Sequence, residues 1–273
     1  EIEKILSKVS FDFVIVYGDT NSTIAGALAA KKIGIKVIHI ESGCRNDDIK
    51  MPEEINRIIT DRISDILFCN TEFSMNNLYK ENFQSFDCII QNSGDLMLDC
   101  LNIYKNQIKP KKNEHILVTI HRAENTELDK LKNIISALNE INKKYEIIFP
   151  LHPRTRKKII EYNLKLNFST IPPVDYLKFL DLLSSSRYLI TDSGGAVREA
   201  YWLNIPSLLV LENPLWPELI SAKVCIKTKA EVTEINTNFN KLNLIDLEFP
   251  KSIFGNGNAS EIITNTIQEY YDR

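Results

Sequence analysis

The stretch FDFVIVYGDTNSTIAGALAAKKIGIKVIHIES (11–42) decides the fold. Residues 11–19 form a continuous run rich in strand-forming residues that is too short for a helix, and residues 36–42 form the next predicted strand. Between them, residues 23–34 have the small residues of a closely packed helix that ends at Gly34. A strand, a helix and a strand in succession make a parallel βαβ unit whose sheet is covered on both faces. This stretch therefore predicts an α/β fold.

The same alternation continues along the rest of the chain. Further helices are predicted at 52–65, 71–82, about 127–143, about 154–164, 175–186, 196–204 and 259–273. Further strands are predicted at 65–70, 88–94, 115–122, 146–152, 188–195 and 206–212, the last clear one. We therefore predict two doubly wound parallel-sheet units.

The polar stretch KNQIKPKKNE (105–114) interrupts this alternation and is the best candidate for a linker. It divides the chain into a first domain, 1–104, and a second domain, 105–257. A C-terminal helix, 258–273, could cross back to the first domain.

Composition excludes several classes of protein. The chain has 273 residues, of which 44% are hydrophobic and 25% are charged, a profile typical of a soluble globular protein. The net charge of -3, without a basic stripe, argues against nucleic-acid binding, and no apolar run is long enough to cross a membrane. The five cysteines are odd in number and include no CxxC pair, which favours reduced thiols in the cytoplasm and argues against a zinc site.

Three carboxylates follow or flank predicted strand ends, where ligands bind in doubly wound folds. They are Asp19 in YGDTNST (17–23), Glu41 in HIESGCR (39–45) and Glu53 in MPEEINR (51–57). Close together, they would raise one another's pKa by like-charge repulsion, which suits general acid–base catalysis near neutral pH.

Each of these carboxylates also has a structural interpretation. An Asp or Thr before a helix can cap it, which would explain Asp19. A salt bridge to Arg45 or Arg57 would explain Glu41, and acidic residues are favourable in the first turn of a helix, which would explain Glu53.

The segment TDSGGAVRE (191–199) predicts an anion site. Ser193, Gly194 and Gly195 open a helix after a strand, and small residues there let a phosphate approach the free N–H groups of the helix. A plain helix cap is the alternative. Glu199 would accept hydrogen bonds from ribose hydroxyls, or would be a solvated surface residue.

Two histidines follow strands in the second domain. His121 is followed by Arg122, and His152 is followed by Arg154 and Arg156. One such histidine is more often structural, but two, both beside arginine, favour an anion site.

The ordered motifs resemble the non-hydrolysing UDP-N-acetylglucosamine 2-epimerases along essentially the whole chain. The motifs are GDT (18–20), HIESG-R (39–45), PEE-NR (52–57), HRAEN (121–125), LHP (151–153), DSGG--EA (192–200) and WPE (216–218). The resemblance implies two Rossmann-like domains of the GT-B type with the active site between them. The family's opening strand and GTRPE-type turn have no counterpart here, so we expect the first domain to be incomplete at its N-terminus.

The resemblance also implies an isomerase reaction. UDP is eliminated to give 2-acetamidoglucal and is then added back, with a proton delivered to the other face of C2. Neither a metal nor an organic cofactor is expected. A cytoplasmic homodimer that supplies precursors of cell-surface polysaccharides is expected, with a UDP-sugar as its ligand.

The matching positions imply residue roles. The expected catalytic residues are Asp19, Glu41, Glu53 and His152. The expected substrate- and UDP-binding residues are His121, Arg122, Ser193, Gly194, Gly195, Glu199, Arg45 and Arg57.

Several positions depart from the family pattern. Val197 stands where the family usually has Gln, and Leu211, Pro214 and Leu215 stand where it usually has Arg, Thr and Glu. An altered substrate or a loss of activity would follow, and we expect this chain by itself not to turn over.

Four other functions stay open. SGDLMLD (93–99), HRAEN (121–125) and the Trp of WPE resemble relatives acting on UDP-2,3-diacetamido-2,3-dideoxyglucuronic acid. The others are a hydrolysing epimerase, a GT-B glycosyltransferase and a UDP-sugar-binding remnant without turnover.

Overall fold

Parallel strands and covering helices form two units in the computed structural model, which describes residues 1–108, 114–244 and 248–272. Unit 1 comprises Glu1–Cys100 and Lys251–Arg273, and unit 2 comprises Leu101–Pro250. The two parallel-sheet units confirm the predicted fold class. Of the predicted linker, Lys105–Gln107 forms a short 3-10 helix, and residues 109–113 lie outside the described residues.

Unit 1 has a four-stranded parallel sheet. Its strands, in spatial and chain order, are β1 (Phe13–Tyr17), β2 (Lys36–Ser42), β3 (Ile66–Cys69) and β4 (Ile89–Asn92). Its helices are α1 (Ile2–Leu6), α2 (Asn21–Lys32), α3 (Pro52–Ile63), α4 (Glu72–Lys80), α5 (Leu96–Tyr104), which contains the boundary between the units, and the last helix of the chain, Ala259–Tyr271.

The last helix of the chain packs on the sheet of unit 1. Its Ile263 joins a core cluster with Ile38, Ile66 and Phe68. Its first turn is held by Asp99, whose carboxylate accepts hydrogen bonds from two main-chain N–H groups and one hydroxyl of that turn. This helix therefore covers strands that lie far earlier in the chain.

Unit 2 has a six-stranded parallel sheet in the order β10-β9-β8-β5-β6-β7. Its strands are β5 (Ile116–Thr119), β6 (Ile147–Pro150), β7 (Ser169–Ile171), β8 (Tyr188–Thr191), β9 (Ser207–Val210) and β10 (Cys225–Thr228). Its helices are α6 (Leu128–Ile141), α7 (Pro153–Glu161), α8 (Tyr176–Ser184), α9 (Gly194–Trp202), α10 (Pro217–Ser221) and α11 (Val232–Leu242), so the last helix of the chain is α12.

The direction of winding in unit 2 reverses between β5 and β8. From β5 the chain builds outward through β6 and β7, and then returns to place β8 on the other side of β5. Such a switch point leaves a crevice at the carboxyl ends of the two central strands, which is where ligands bind in this architecture.

The end of unit 2 differs from the prediction. The segment 206–212 is the last strand that the sequence clearly indicates, but the structure has one more, because β10 pairs with β9. β10 has only four residues, CIKT, of which Lys227 is exposed and Thr228 is polar, so its sequence lacks an apolar run that would indicate a strand. The helix α11 was also missed, because its three buried apolar residues stand among Thr and Asn residues that favour helices weakly.

Candidate functional site

The turn after β1 holds Asp19 against α3. Arg57 donates a hydrogen bond of 2.5 Å from Nη1 to Oδ2 of Asp19, and the Asn56 side chain donates one of 2.8 Å to the Asp19 carbonyl. The cap of α2 is Thr20, which forms a reciprocal capping box with Thr23. The carboxylate of Asp19 is therefore not the helix cap, and it stands partly exposed beside a buried arginine.

The two glutamates at the start of α3 have different surroundings. Glu54 is buried and accepts hydrogen bonds from the Nε and Nη2 atoms of Arg57 and from the main-chain N–H groups of Asn46 and Asp47. Glu53 is exposed in the same helical turn. Glu54 thus supports the fold and Arg57, while Glu53 is available to a ligand.

Glu41 stands on an unusual backbone. Its φ is 72°, in the left-handed region, and the pairing of β2 with β3 shifts register between Ile40 and Ser42. A non-glycine residue there costs about 1–2 kcal/mol, and an irregularity at a strand end redirects the side chain. Both features distinguish Glu41 from an ordinary strand residue.

Arg45 is bound inside unit 1. Its Nη1 donates to Asp61 at 2.7 Å, and its Nε and Nη2 donate to Glu81 at 2.7 Å and 3.0 Å. The side chain is only 6% exposed. These contacts make Arg45 part of a buried charge network rather than a group that is open to solvent.

The sequence interpretation did not select His39 or Asp61. His39 is buried in β2, with Nδ1 2.6 Å from Oδ1 of Asp61 and Nε2 2.8 Å from the Gly18 carbonyl. The available signal was a histidine inside the otherwise apolar run KVIHI (36–40).

In unit 2, a buried carboxylate organises the turn after β5. Asp192 follows β8 and accepts hydrogen bonds from the main-chain N–H groups of His121 and Arg122 and from the side-chain amide of Asn125. The Nε atom of Arg122 donates a hydrogen bond of 2.8 Å to the main-chain carbonyl of Asp192. The strand ends on both sides of the switch point are therefore tied together.

The two predicted histidines lie side by side. The ring centroids of His121 and His152 are 5.6 Å apart, and Arg154 donates a hydrogen bond to the His121 carbonyl. Burial lowers the pKa of His121, and the neighbouring His152, Arg122 and Arg154 lower it further, whereas Asp192 opposes the shift. A cluster in which positive charges repel one another is suited to an anion.

Ser193, Gly194 and Gly195 lie at the N-terminus of α9. The Ser193 hydroxyl accepts the N–H of Ala196, and Trp216 donates from its indole to the Gly194 carbonyl. A Cβ on Gly194 would meet only that indole, at 3.4 Å. A helix leaves its first N–H groups without intrahelical partners, so this end of α9 can receive a phosphate.

Three further positions of unit 2, one predicted to bind ribose and two that depart from the family pattern, are buried. Glu199 on α9 is 5% exposed, which excludes the alternative of a solvated surface residue. Leu211, directly after β9, is 8% exposed. Val197, one of the positions that depart from the family pattern, is also buried.

Within each unit, the structure brings several predicted residues together. In unit 1, Asp19 meets Arg57, while Arg45 binds other partners. In unit 2, His121 and His152 are neighbours. Within the described ranges no group of three or more His, Cys, Asp or Glu residues could hold a metal ion, and no helix is long and apolar enough to span a membrane.

Comparisons with known proteins identify the family. A family model described as UDP-N-acetylglucosamine 2-epimerase matches residues 1–268. A UDP-N-acetylglucosamine 2-epimerase of Methanococcus maripaludis is 41% identical over 98% of this chain and 78% of its own length. A UDP-2,3-diacetamido-2,3-dideoxy-D-glucuronate 2-epimerase of Pseudomonas aeruginosa is 39% identical over 96% of this chain and 76% of its own.

Solved structures agree. The crystal structure of a Methanocaldococcus jannaschii UDP-GlcNAc 2-epimerase, in complex with UDP-GlcNAc and UDP, superposes with a TM-score of 0.87 at 35% identity. The match covers 98% of this chain and 78% of that one. The fold is the two-domain GT-B type that the sequence predicted, and the chain belongs to the UDP-N-acetylglucosamine 2-epimerase family, whose members are isomerases that act on a UDP-sugar.

Proposed function

We propose that this protein interconverts UDP-N-acetylglucosamine and UDP-N-acetylmannosamine by elimination and re-addition of UDP. The observation that carries the proposal is the switch point of unit 2, where His121 after β5 and Ser193 after β8 are tied together through Asp192. The proposal is supported by the main-chain N–H groups, histidines and arginines at the carboxyl ends of the central strands, where ligands bind in doubly wound folds.

Unit 2 would bind UDP. The N-terminus of α9, with Ser193, Gly194 and Gly195, would receive the diphosphate, and Glu199 would accept hydrogen bonds from the ribose hydroxyls. His121 and Arg122, after β5, and His152, after β6, would stabilise the negative charge of the leaving group. Fixed donors of this kind lower the barrier because charge develops on the diphosphate as the C1–O bond breaks.

Unit 1 would supply the proton transfers. A carboxylate takes the proton from C2, the electron pair forms the C1–C2 double bond of 2-acetamidoglucal, and UDP leaves with the electrons of the C1–O bond. UDP then attacks C1 again while a carboxylic acid returns a proton to the other face of C2. Asp19, Glu41 and Glu53 are the groups that we assign to these transfers, and Arg57 fixes the position of Asp19.

Arg45 has a different place in the proposal from the one that its sequence motif indicated. Because its side chain is bound to Asp61 and Glu81, we propose that it supports the turn after β2 rather than contacting UDP. A cytoplasmic homodimer that makes precursors of cell-surface polysaccharides completes the proposal, on the resemblance to the family.

One observation favours a second substrate. The Pseudomonas aeruginosa relative, at 39% identity, is named for a diacetamido-glucuronate. Leu211 and Leu215 also replace polar residues of the family pattern. The second candidate is therefore 2-epimerisation of UDP-2,3-diacetamido-2,3-dideoxyglucuronic acid.

Proton NMR in deuterated water tests both candidates with the full-length protein. Deuterium at C2 together with a new UDP-N-acetylmannosamine signal supports the first substrate. Exchange only with the diacetamido-uronate supports the second. UDP binding without exchange in either sugar contradicts the epimerase proposal and favours a binding protein, and release of free sugar with UDP favours a hydrolysing enzyme.

Two aspartates at opposite ends of β1 provide matched variants. Asp19→Asn should retain UDP binding and lose C2 exchange. Asp12→Asn changes an exposed residue at the amino end of the same strand and should retain exchange. Equal exchange rates in the two variants would remove Asp19 from the mechanism.

A further inference from the structure

Asp61 on α3 is a buried carboxylate with donors on both oxygens. Oδ1 lies 2.6 Å from Nδ1 of His39, and Oδ2 accepts from Nη1 of Arg45 at 2.7 Å and from the Gly43 N–H at 3.1 Å. Burial by itself would raise the pKa of Asp61, but the charges and hydrogen bonds of His39 and Arg45 outweigh it and hold that pKa below its ordinary value. The carboxylate is therefore ionised and acts as an acceptor only.

These contacts also fix the protonation of His39. Its Nδ1 faces the carboxylate of Asp61, and its Nε2 lies 2.8 Å from the Gly18 carbonyl. A carbonyl and an ionised carboxylate only accept hydrogen bonds, so both ring nitrogens must donate. His39 therefore lies buried between a carboxylate and a main-chain carbonyl, with a hydrogen bond at each ring nitrogen.

The pair connects the two turns that carry proposed catalytic carboxylates. Through His39 it holds the carbonyl of Gly18, the residue before Asp19, and through Asp61 it holds the N–H of Gly43, two residues after Glu41. The second turn includes the left-handed backbone of Glu41, a conformation that lasts only where the surroundings enforce it.

We propose that the His39–Asp61 pair positions Asp19 and Glu41 for proton transfer at C2, an inference that rests on the proposed function. The pair does not touch substrate. It fixes the main chain just before Asp19 and two residues after Glu41, so its loss changes the rate of the chemical step more than the binding of UDP, which we assign to unit 2.

Asp65 provides an internal control for this role. It is also buried, lies just after α3, and accepts hydrogen bonds from Lys31, Lys36 and the Val37 N–H. These contacts lie at the amino end of β2, away from the turns that follow β1 and β2. Asp65 therefore matches Asp61 in residue type and burial but not in its connection to the carboxylates.

The first experiment compares Asp61→Asn, His39→Gln and Asp65→Asn in the full-length enzyme. We expect kcat to fall about 10- to 100-fold in the first two, the size typical of losing a group that orients a functional side chain. UDP affinity should stay within about twofold in all three, and Asp65→Asn should lose stability while it keeps its kcat. Equal kcat values in Asp61→Asn and Asp65→Asn, at equal folded fractions, would overturn the inference.

The second experiment uses only the wild-type protein, so it does not depend on whether a core variant folds. In the wild-type protein labelled with 15N-histidine, both ring nitrogens of His39 should give the signals of protonated nitrogen at neutral pH. A signal of a bare, unprotonated ring nitrogen from His39 would overturn the inference. Failure of the proposed function looks different, because wild-type enzyme would then show no C2 exchange with either sugar.

Discussion

Asp61 in unit 1 and Asp192 in unit 2 are both buried beside the carboxyl ends of strands, but the two carboxylates are satisfied by different groups. Asp61 in unit 1 is met by charged side chains, those of His39 and Arg45. Asp192 in unit 2 is met mainly by neutral donors, the main-chain N–H groups of the turn after β5 and the amide of Asn125.

The difference shows how each strand end is kept in place. In unit 1, groups far apart in the sequence are held by charge, so removing one partner leaves another charge buried. In unit 2, the carboxylate shapes a single turn by hydrogen bonds to its main chain, so its removal loosens that turn without isolating a buried cation. We therefore expect larger losses of stability in unit 1 and more direct losses of UDP binding in unit 2.

The largest effect should come from Arg45→Met. The change leaves Asp61 with one charged partner fewer and removes the partner of Glu81, so the free energy of unfolding should fall by about 3–5 kcal/mol. Chemical denaturation measures it. UDP affinity of the folded protein should stay unchanged, and a loss of affinity at full folding would return Arg45 to the binding site.

Arg187→Met is the matched control for Arg45→Met, because it removes an exposed arginine instead of a buried one. Arg187 pairs with Glu114 at 3.6 Å, and both side chains are well exposed to solvent. An exposed pair contributes about 0–1 kcal/mol because water screens it. A similar loss in the two variants would contradict the view that burial makes the network of unit 1 sensitive.

The second prediction contrasts one glycine from each unit. Gly43 has a φ of +74°, and a Cβ there would stand 2.2 Å from the main-chain oxygen of Ser74. Gly43→Ala should therefore cost about 2–4 kcal/mol, through backbone strain and displacement of α4. Thermal and chemical unfolding of the purified variant would measure this loss.

Gly194→Ala should fold normally, because the added Cβ makes only an ordinary contact with Trp216. It should still weaken UDP binding, because the methyl group would stand at the helix end proposed to receive the diphosphate. Titration calorimetry with UDP tests this, and unchanged affinity would remove the N-terminus of α9 from the site.

A third prediction concerns Asp192→Asn. The amide nitrogen of Asn would face N–H donors, and hydrogen bonds to a charged acceptor would be lost, so we expect a loss of about 2–3 kcal/mol. UDP affinity should fall as well, because the turn with His121 and Arg122 loosens. Full UDP affinity in this variant would show that the turn does not depend on Asp192.

The smallest effect should be the difference in acid sensitivity between the units. Burial lowers the pKa of His115 and His121 below 6.5 in the folded protein. Below pH 6.5 the unfolded chain therefore binds more protons at these histidines than the folded chain does. Unit 2 should therefore begin to lose stability below pH 6.5. In unit 1, burial by itself would raise the pKa of Asp65, but its hydrogen bonds to Lys31 and Lys36 outweigh burial and hold that pKa below 3.8.

The contribution of Asp65 is present above pH 3.8 and is lost as the pH falls through the lowered pKa. Amide hydrogen exchange, read separately for the two units over a pH series, measures the difference. His115→Gln should flatten the response of unit 2 between neutral pH and pH 4. Simultaneous loss of protection in both units from pH 6.5 would contradict the assignment.

Much of this architecture could be predicted from the sequence because its strands are short runs rich in β-branched, aromatic and other apolar residues, separated by helical patterns. The segments 11–19 and 36–42 predicted β1 and β2, and the motifs at their ends predicted the turns that carry the candidate site residues. The strand β10 could not be predicted in the same way, because its four residues, CIKT, include Lys227 and Thr228, whereas β1, FVIVY, is apolar throughout although it too is an edge strand.

The predicted site residues differ in how much their local sequence revealed. Ser193 is the N-cap of α9, a local contact that the preference for Ser before a helix predicts. The burial of Glu199 and the binding of Arg45 to Glu81, 36 positions away, depend on how distant elements pack, which residue type and spacing do not encode.

The sequence by itself determined the α/β class, the order of the motifs and the family, because each rests on local periodicity and ordered residue identity. Only the tertiary structure decided that His39 and Asp61 form a pair, that Arg57 holds Asp19 and that Arg45 is buried. The reason is physical: a charged side chain takes its role from the partners that share its low-dielectric surroundings, and those partners come from other strands and helices.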